Sequence, residues 1–254
     1  MINELTLLSG NDIPIEAANL LLHVPTIKEI AYMGEEWFFT QCEFLRFSKN
    51  KLSTEDRNHL ESLSNFEIIM SIMRENNIRE KISIDSITTI LSLFFPIYDI
   101  NIDLQNMEII FIHENVQLKL NKDNYHNFVS VLDQILCVDG SEPSNGDYNP
   151  SGDLARQIAD KLRDRQAKLA MLKQNDNQKI AILSRYISIL AVGEHKDMNS
   201  LLNYTIYQLF DEYKRFVMKL NWDSFMQARL AGAQDLKPVD DWMKDIHSDI
   251  DNEN

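Results

Sequence analysis

Ile100-Asn101-Ile102-Asp103-Leu104, the run Met107 to His113, and Val116-Gln117-Leu118-Lys119-Leu120 stand apart from the rest of the chain. Apolar and polar residues alternate in the first and third runs and β-formers fill the second, a period of two that belongs to strands. Gln105-Asn106 and Glu114-Asn115 separate the runs and suit tight turns. Two or three antiparallel strands are expected here, and they make the first half α+β.

Outward from these strands the spacing is helical. Pro25-Thr26-Ile27-Lys28-Glu29 reads as a capping box, with Thr26 as N-cap and Glu29 reaching back, and predicts a helix from about Ile27 to Phe47. Further helices are expected at about Thr54 to Asn76, Ile84 to Phe95 (stopped by Pro96) and Lys122 to Cys137. Beyond residue 153 every segment reads as helix, at about Leu154 to Lys173, Lys179 to Val192, Met198 to Leu220, Ser224 to Ala231 and Asp240 to His247. Only 7 glycines and 6 prolines occur in 254 residues, too few for an all-β or doubly wound fold. The fold class is therefore mainly α.

The segment from Asp139 to Gly152 holds three of the glycines and two of the prolines. It divides the chain into an acidic α+β domain (1–138), a linker or long loop (139–152), a helical domain (153–247) and a mobile acidic tail (248–254). Charge follows the same division. Residues 1–150 carry 10 bases against 23 acids, whereas residues 151–254 carry 15 against 16. Nucleic-acid and membrane-surface partners call for a basic excess, so neither is expected. No apolar run approaches the roughly 20 residues of a membrane span, and Met1-Ile2-Asn3-Glu4 lacks the start of a signal peptide, which places the protein in a cytoplasm.

Catalytic signatures are sparse. Phosphate loops, dinucleotide fingerprints, zinc helices and nucleophile elbows are absent from the sequence, so no cofactor or metal is expected. Cys42 and Cys137 match no metal or redox spacing. Glu35-Glu36, Asp211-Glu212 and Asp240-Asp241 read as solvated surface, because neighbours on a helix point about 100° apart. An unrecognised hydrolase or nucleotide-binding enzyme is the alternative if scattered His and carboxylates converge, and a cleft holding several of His113, His126, Asp123 and Glu114 with perturbed pKa values would support it. In the aromatic stretch 204–216, Ile206, Leu209, Phe210, Tyr213 and Phe216, with Val217 and Leu220 beyond, recur at core spacing. Tyr204, Tyr207 and Asp211 fall on a neighbouring face. Those three, with Trp222 and Trp242, are the candidate partner-binding residues on aromatic content, the alternative being that the tyrosines cap their own core.

Several short motifs carry a family likeness. Pro25-Thr26-Ile27-Lys28-Glu29-Ile30 followed by Gly34-Glu35 and Trp37-Phe38, then Tyr148-Asn149-Pro150 and Ile158-Ala159-Asp160-Lys161-Leu162, resemble tail assembly chaperone-like proteins of long-tailed phages of Gram-positive bacteria. Leu190 to Gly193, Asn203 to Asp211, and Ala228 to Ala233 with Trp242-Met243 extend the resemblance. It implies a role in tail morphogenesis, without catalysis, in the cytoplasm of the infected host or in the virion tail. The implied partners are tape-measure, tube or baseplate proteins, with possible self-association. A structural baseplate or tail-tip subunit is the alternative within the same setting.

Overall fold

Asn3 starts the first helix by accepting the Leu5 N–H, and Gly10, at φ 66°, ends it. The structure, a computed structural model, describes residues 2–49, 60, 62–74, 83–137, 182–232, 239 and 241–243. Helix α1 (Glu4–Ser9) leads into a small hairpin in which β1 (Ile13–Ile15) pairs antiparallel with β2 (Leu20–Leu22). In both strands the outer residues are buried and the middle one faces out. The expected capping box is present. Thr26 accepts the Glu29 N–H, Glu29 accepts the Thr26 N–H, and α2 (Ile27–Met33) follows.

The helix expected from Ile27 to Phe47 is two helices. Gly34 takes φ 92° and ψ 123°, outside the helical region, and separates α2 from α3 (Glu35–Leu45). Of the helix expected from Thr54 to Asn76, residues 54–59, 61, 75 and 76 lie outside the described residues; 62–64 are non-helical, and a Ser64–Glu67 hydrogen-bonded pair begins α4 (Asn65–Arg74). Helix α5 (Ile84–Phe94) is capped by Ser83 and ends before Pro96, which disfavours helical backbone at the residue preceding it.

The period-two runs form β3 (Asp99–Asp103), β4 (Glu108–His113) and β5 (Val116–Leu120), an antiparallel meander in that order. Asp103 ties the first turn by accepting the Gln105 and Asn106 N–H groups. Glu114 and Asn115 both take positive φ in the second, the geometry of a two-residue hairpin that matches strand twist. The register sets Phe111 between Ile100 and Leu118, and Ile109 between Ile102 and Leu120, on the core face. Phe95 packs edgewise on Phe111 and against Phe128 of helix α6 (Tyr125–Ile135), whose Tyr125 hydroxyl donates to the Leu45 carbonyl at 2.7 Å.

The described part of the second half is helical, as α7 (Ile182–Gly193), α8 (Met198–Leu202) and α9 (Ile206–Leu230). The sequence put a continuous helix across 198–220 and a break near 221–223. The structure reverses this, because Thr205 and Gln208 form a second capping box that starts α9 afresh, and no breaker interrupts it afterwards. Leu220, expected in the core, is exposed, since the residues of α9 that pack against the core end at Phe216. The segments expected at 139–152, 154–173 and 248–254 lie outside the described residues.

The hydrophobic core is one cluster drawn from both halves. Phe38, Phe66, Phe94, Phe95, Phe111 and Phe128 are its largest wholly buried side chains, joined by Leu190, Leu201, Ile206 and Leu209. Each such side chain contributes about 1.5–3 kcal/mol on burial. A backbone seam joins the halves, where Thr26 and Thr205 form a β-bridge and the Ile27 N–H donates to the Tyr204 carbonyl at 2.8 Å. Gln208 Nε2 reaches the Leu8 carbonyl at 2.6 Å, and the Leu183 N–H reaches Glu35 at 3.0 Å.

Candidate functional site

Three successive turns of α9 face one groove. Gln208, Asp211, Glu212, Arg215, Phe216 and Lys219 are spaced three and four residues apart, which puts them on one side of a helix. Leu8 of α1, Glu194 after α7, Tyr204 and Trp242 complete the lining of a cavity of about 480 Å³. The helices that wall it are held by aromatic packing, with the Tyr186 ring stacked on Tyr213 at 3.9 Å and set edgewise to Phe210. A Cβ at Gly193 would lie 2.3 Å from the Phe216 ring, so a side chain there would force that ring to shift.

Charge in the groove is arranged in pairs. Lys196 bridges Glu194 at 3.4 Å and Glu212, donates to the Tyr204 hydroxyl at 3.3 Å, and sits 5.6 Å from the centre of that ring. Arg215 donates to the buried Asp211 at 3.2 Å and lies 4.0 Å from Glu4. Lys219 stands over the Trp242 ring at 5.9 Å. Behind this layer the Tyr207 phenol is pushed well above its ordinary value, first by burial and then by the negative charges of Glu4 and Asp211. Glu212 Oε2 is buried with no hydrogen-bond partner among the described residues.

Of the five candidate residues, the structure brings Tyr204, Asp211 and Trp242 together in the groove. Tyr207 is buried in the core, and Trp222 lies beyond the groove with its ring 6.2 Å from that of Phe225. Asp211 and Glu212 are not the solvated pair expected of them, since Arg215 and Lys196 draw them inward as partners. The recurrence Gln208, Glu212, Phe216 and Asp211, Arg215, Lys219 was available in the sequence as a second helical face. Leu8 and Glu194 carry no such signal, because only the tertiary fold delivers them.

His113 and Glu114 sit at one end of β5, whereas Asp123 and His126 lie beyond its other end, a strand of five residues away. At about 3.4 Å per residue that strand keeps the two pairs apart. Among the described residues no group of three or more His, Cys, Asp or Glu is placed to hold a metal ion, and no helix is long and apolar enough to cross a membrane.

Residues 173–247 match the family model of the YomV second domain. That domain is phage-related, and the match points to a phage protein. Nine of the ten groove-lining residues, all but Leu8, fall inside the matching stretch. No curated protein and no solved structure matches the chain.

Proposed function

We propose that the protein acts in phage tail morphogenesis, as a tail assembly chaperone or scaffold that holds a tape-measure or tube protein through the α9 groove. The observation that carries this reading is the groove's position, almost wholly inside the region similar to a phage-related domain. Its composition supports the same conclusion. Tyr, Trp and Arg are the side chains that most often dominate binding energy at protein interfaces, and Tyr204, Trp242 and Arg215 line one cavity. Lys196 with Glu212 and Arg215 with Asp211 already neutralise one another, an arrangement suited to recognition rather than to proton transfer.

Mass spectrometry of purified virions, combined with capture from infected-cell lysate, tests the proposal. Absence from virions together with capture of a tape-measure or tube protein is the expected result. Stoichiometric presence in virions would instead make the protein a structural baseplate or tail-tip subunit. Tyr204→Ala with Trp242→Ala should weaken capture about tenfold or more while the unfolding temperature stays near that of the parent. A complex unaffected by the double substitution would remove the groove from the interface.

A further inference from the structure

Just ahead of the seam one imidazole stands between two carboxylates. The His23 backbone N–H donates to the Phe94 carbonyl at 2.7 Å, which fixes the chain where it leaves β2. From there the ring reaches Asp12 through Nδ1 at 2.9 Å and Glu29 through Nε2, at 3.3 Å to Oε1 and 3.4 Å to Oε2. Asp12 precedes β1 and Glu29 lies in the first turn of α2, so three segments meet at one ring. The His23 side chain is 26% exposed and both carboxylates are more so, which keeps the cluster within reach of bulk protons.

The number of protons on the ring follows from its neighbours. An ionised carboxylate only accepts hydrogen bonds, and a neutral imidazole has one N–H to give, its other nitrogen being an acceptor. A neutral ring therefore satisfies Asp12 or Glu29 and turns a lone pair toward the other. Imidazolium donates from both nitrogens and satisfies both. Burial raises the Glu29 carboxyl, but the Thr26 N–H and hydroxyl, with His23, more than offset that and keep it ionised. Among the described residues Asp12 and Glu29 are the charged groups within ion-pair reach of the ring.

Glu29 connects this ring to the seam. Its Oε2 accepts the Thr26 N–H at 2.8 Å and the Thr26 hydroxyl at 2.7 Å, Thr26 forms the β-bridge to Thr205, and the Ile27 N–H donates to Tyr204. We propose that His23 is a proton-operated clamp, which as imidazolium ties Asp12 to Glu29 and steadies the seam between the halves, and which on losing a proton releases one carboxylate and loosens that seam. A proton held by the closed clamp adds stability while the ring is charged, and the contribution is lost as pH rises through the titration of the ring. It is also lost in acid once the two carboxylates are protonated, so the clamp is closed only between those limits. The clamp does not depend on what the α9 groove binds, so either reading can fail alone.

The test uses the full chain and two readouts across a pH series. Nitrogen-15 NMR of the histidine rings follows the protonation of His23, and hydrogen exchange, corrected for the intrinsic rate at each pH, reads the Ile27 amide in the seam. While the ring is charged, Ile27 should be protected about fivefold more in the parent than in His23→Asn, and that ratio should fall toward one as the ring loses its proton. Asp12→Asn guards against a folding defect in the first variant. Its amide can donate to Nδ1, so a neutral ring then serves both neighbours, and Ile27 protection should stay level while the ring titrates. A parent-to-variant ratio that holds constant through the titration makes His23 a structural residue and overturns the proposal. So does an Asp12→Asn protein that keeps the pH dependence of the parent.

Discussion

The two capping boxes that meet at the seam share a threonine and differ in its partner. In each, the threonine hydroxyl accepts the N–H three residues on at 3.3 Å, and the partner side chain accepts the threonine N–H at 2.8 Å. Glu29 adds a bond from the Thr26 hydroxyl at 2.7 Å and contact with His23 at 3.3 Å, all as an acceptor of hydrogen or charge. Gln208 accepts on one atom and donates on the other, to Leu8. An acid serves where every neighbour gives a proton or a positive charge. An amide serves where the same side chain must also satisfy a carbonyl.

Exchanging those chemistries should break the comparison at its weakest point. Gln208→Glu removes the donor to Leu8 and sets a carboxylate against a carbonyl beside Asp211 and Glu212, and denaturant unfolding at pH 7 should show a loss of about 2 kcal/mol. The deficit should shrink in acid, where the introduced carboxyl is protonated and again donates. Thr205→Ala removes the cap of a 25-residue helix at a buried position, with an expected cost of about 1–2 kcal/mol by the same measurement.

Gly10→Ala tests the wall behind Gln208. Its φ of 66° disfavours a side chain, and the new Cβ would lie 3.2 Å from Gln208 Nε2 and 3.3 Å from Thr205 Cγ2, so a loss of about 1 kcal/mol is expected in thermal unfolding.

Glu29→Gln has the smallest expected effect, about 0.5 kcal/mol at pH 7, because the side chain is 43% exposed. Its value lies in its pH dependence. Burial raises the Glu29 carboxyl, but hydrogen bonds from Thr26 and the nearby His23 outweigh that and hold it below the usual range. A lowered carboxyl stabilises fully above the unfolded value of about 4.3 and loses that contribution as pH falls through the folded one. Parent and variant stability curves should therefore converge in acid.

These boxes also mark what the sequence disclosed. Thr26 with Glu29 was legible because Pro25 precedes it and a helical pattern begins there. Thr205 with Gln208 was hidden inside an aromatic run whose helical spacing continues smoothly from Tyr204 to Phe216, so local periodicity concealed the restart. The meander was readable from its alternation and from Asn115, a residue suited to positive φ, although Glu114 beside it takes positive φ as well. The β1–β2 hairpin was not, since three-residue strands around Pro14 leave too short a pattern and hold together by burial in the shared core. In the groove, aromatic content indicated Tyr204 and Trp242, while burial of Tyr207 depended on where the rest of the chain packs.

The hydrogen bond between Gln208 and Leu8 spans 200 residues. At ribosomal speeds of about 5–20 residues per second, α1 would leave the ribosome some 10–40 s before the helix that secures it. For that interval its apolar side has no permanent cover, and the newborn chain depends on the order of its own synthesis to reach the closed seam.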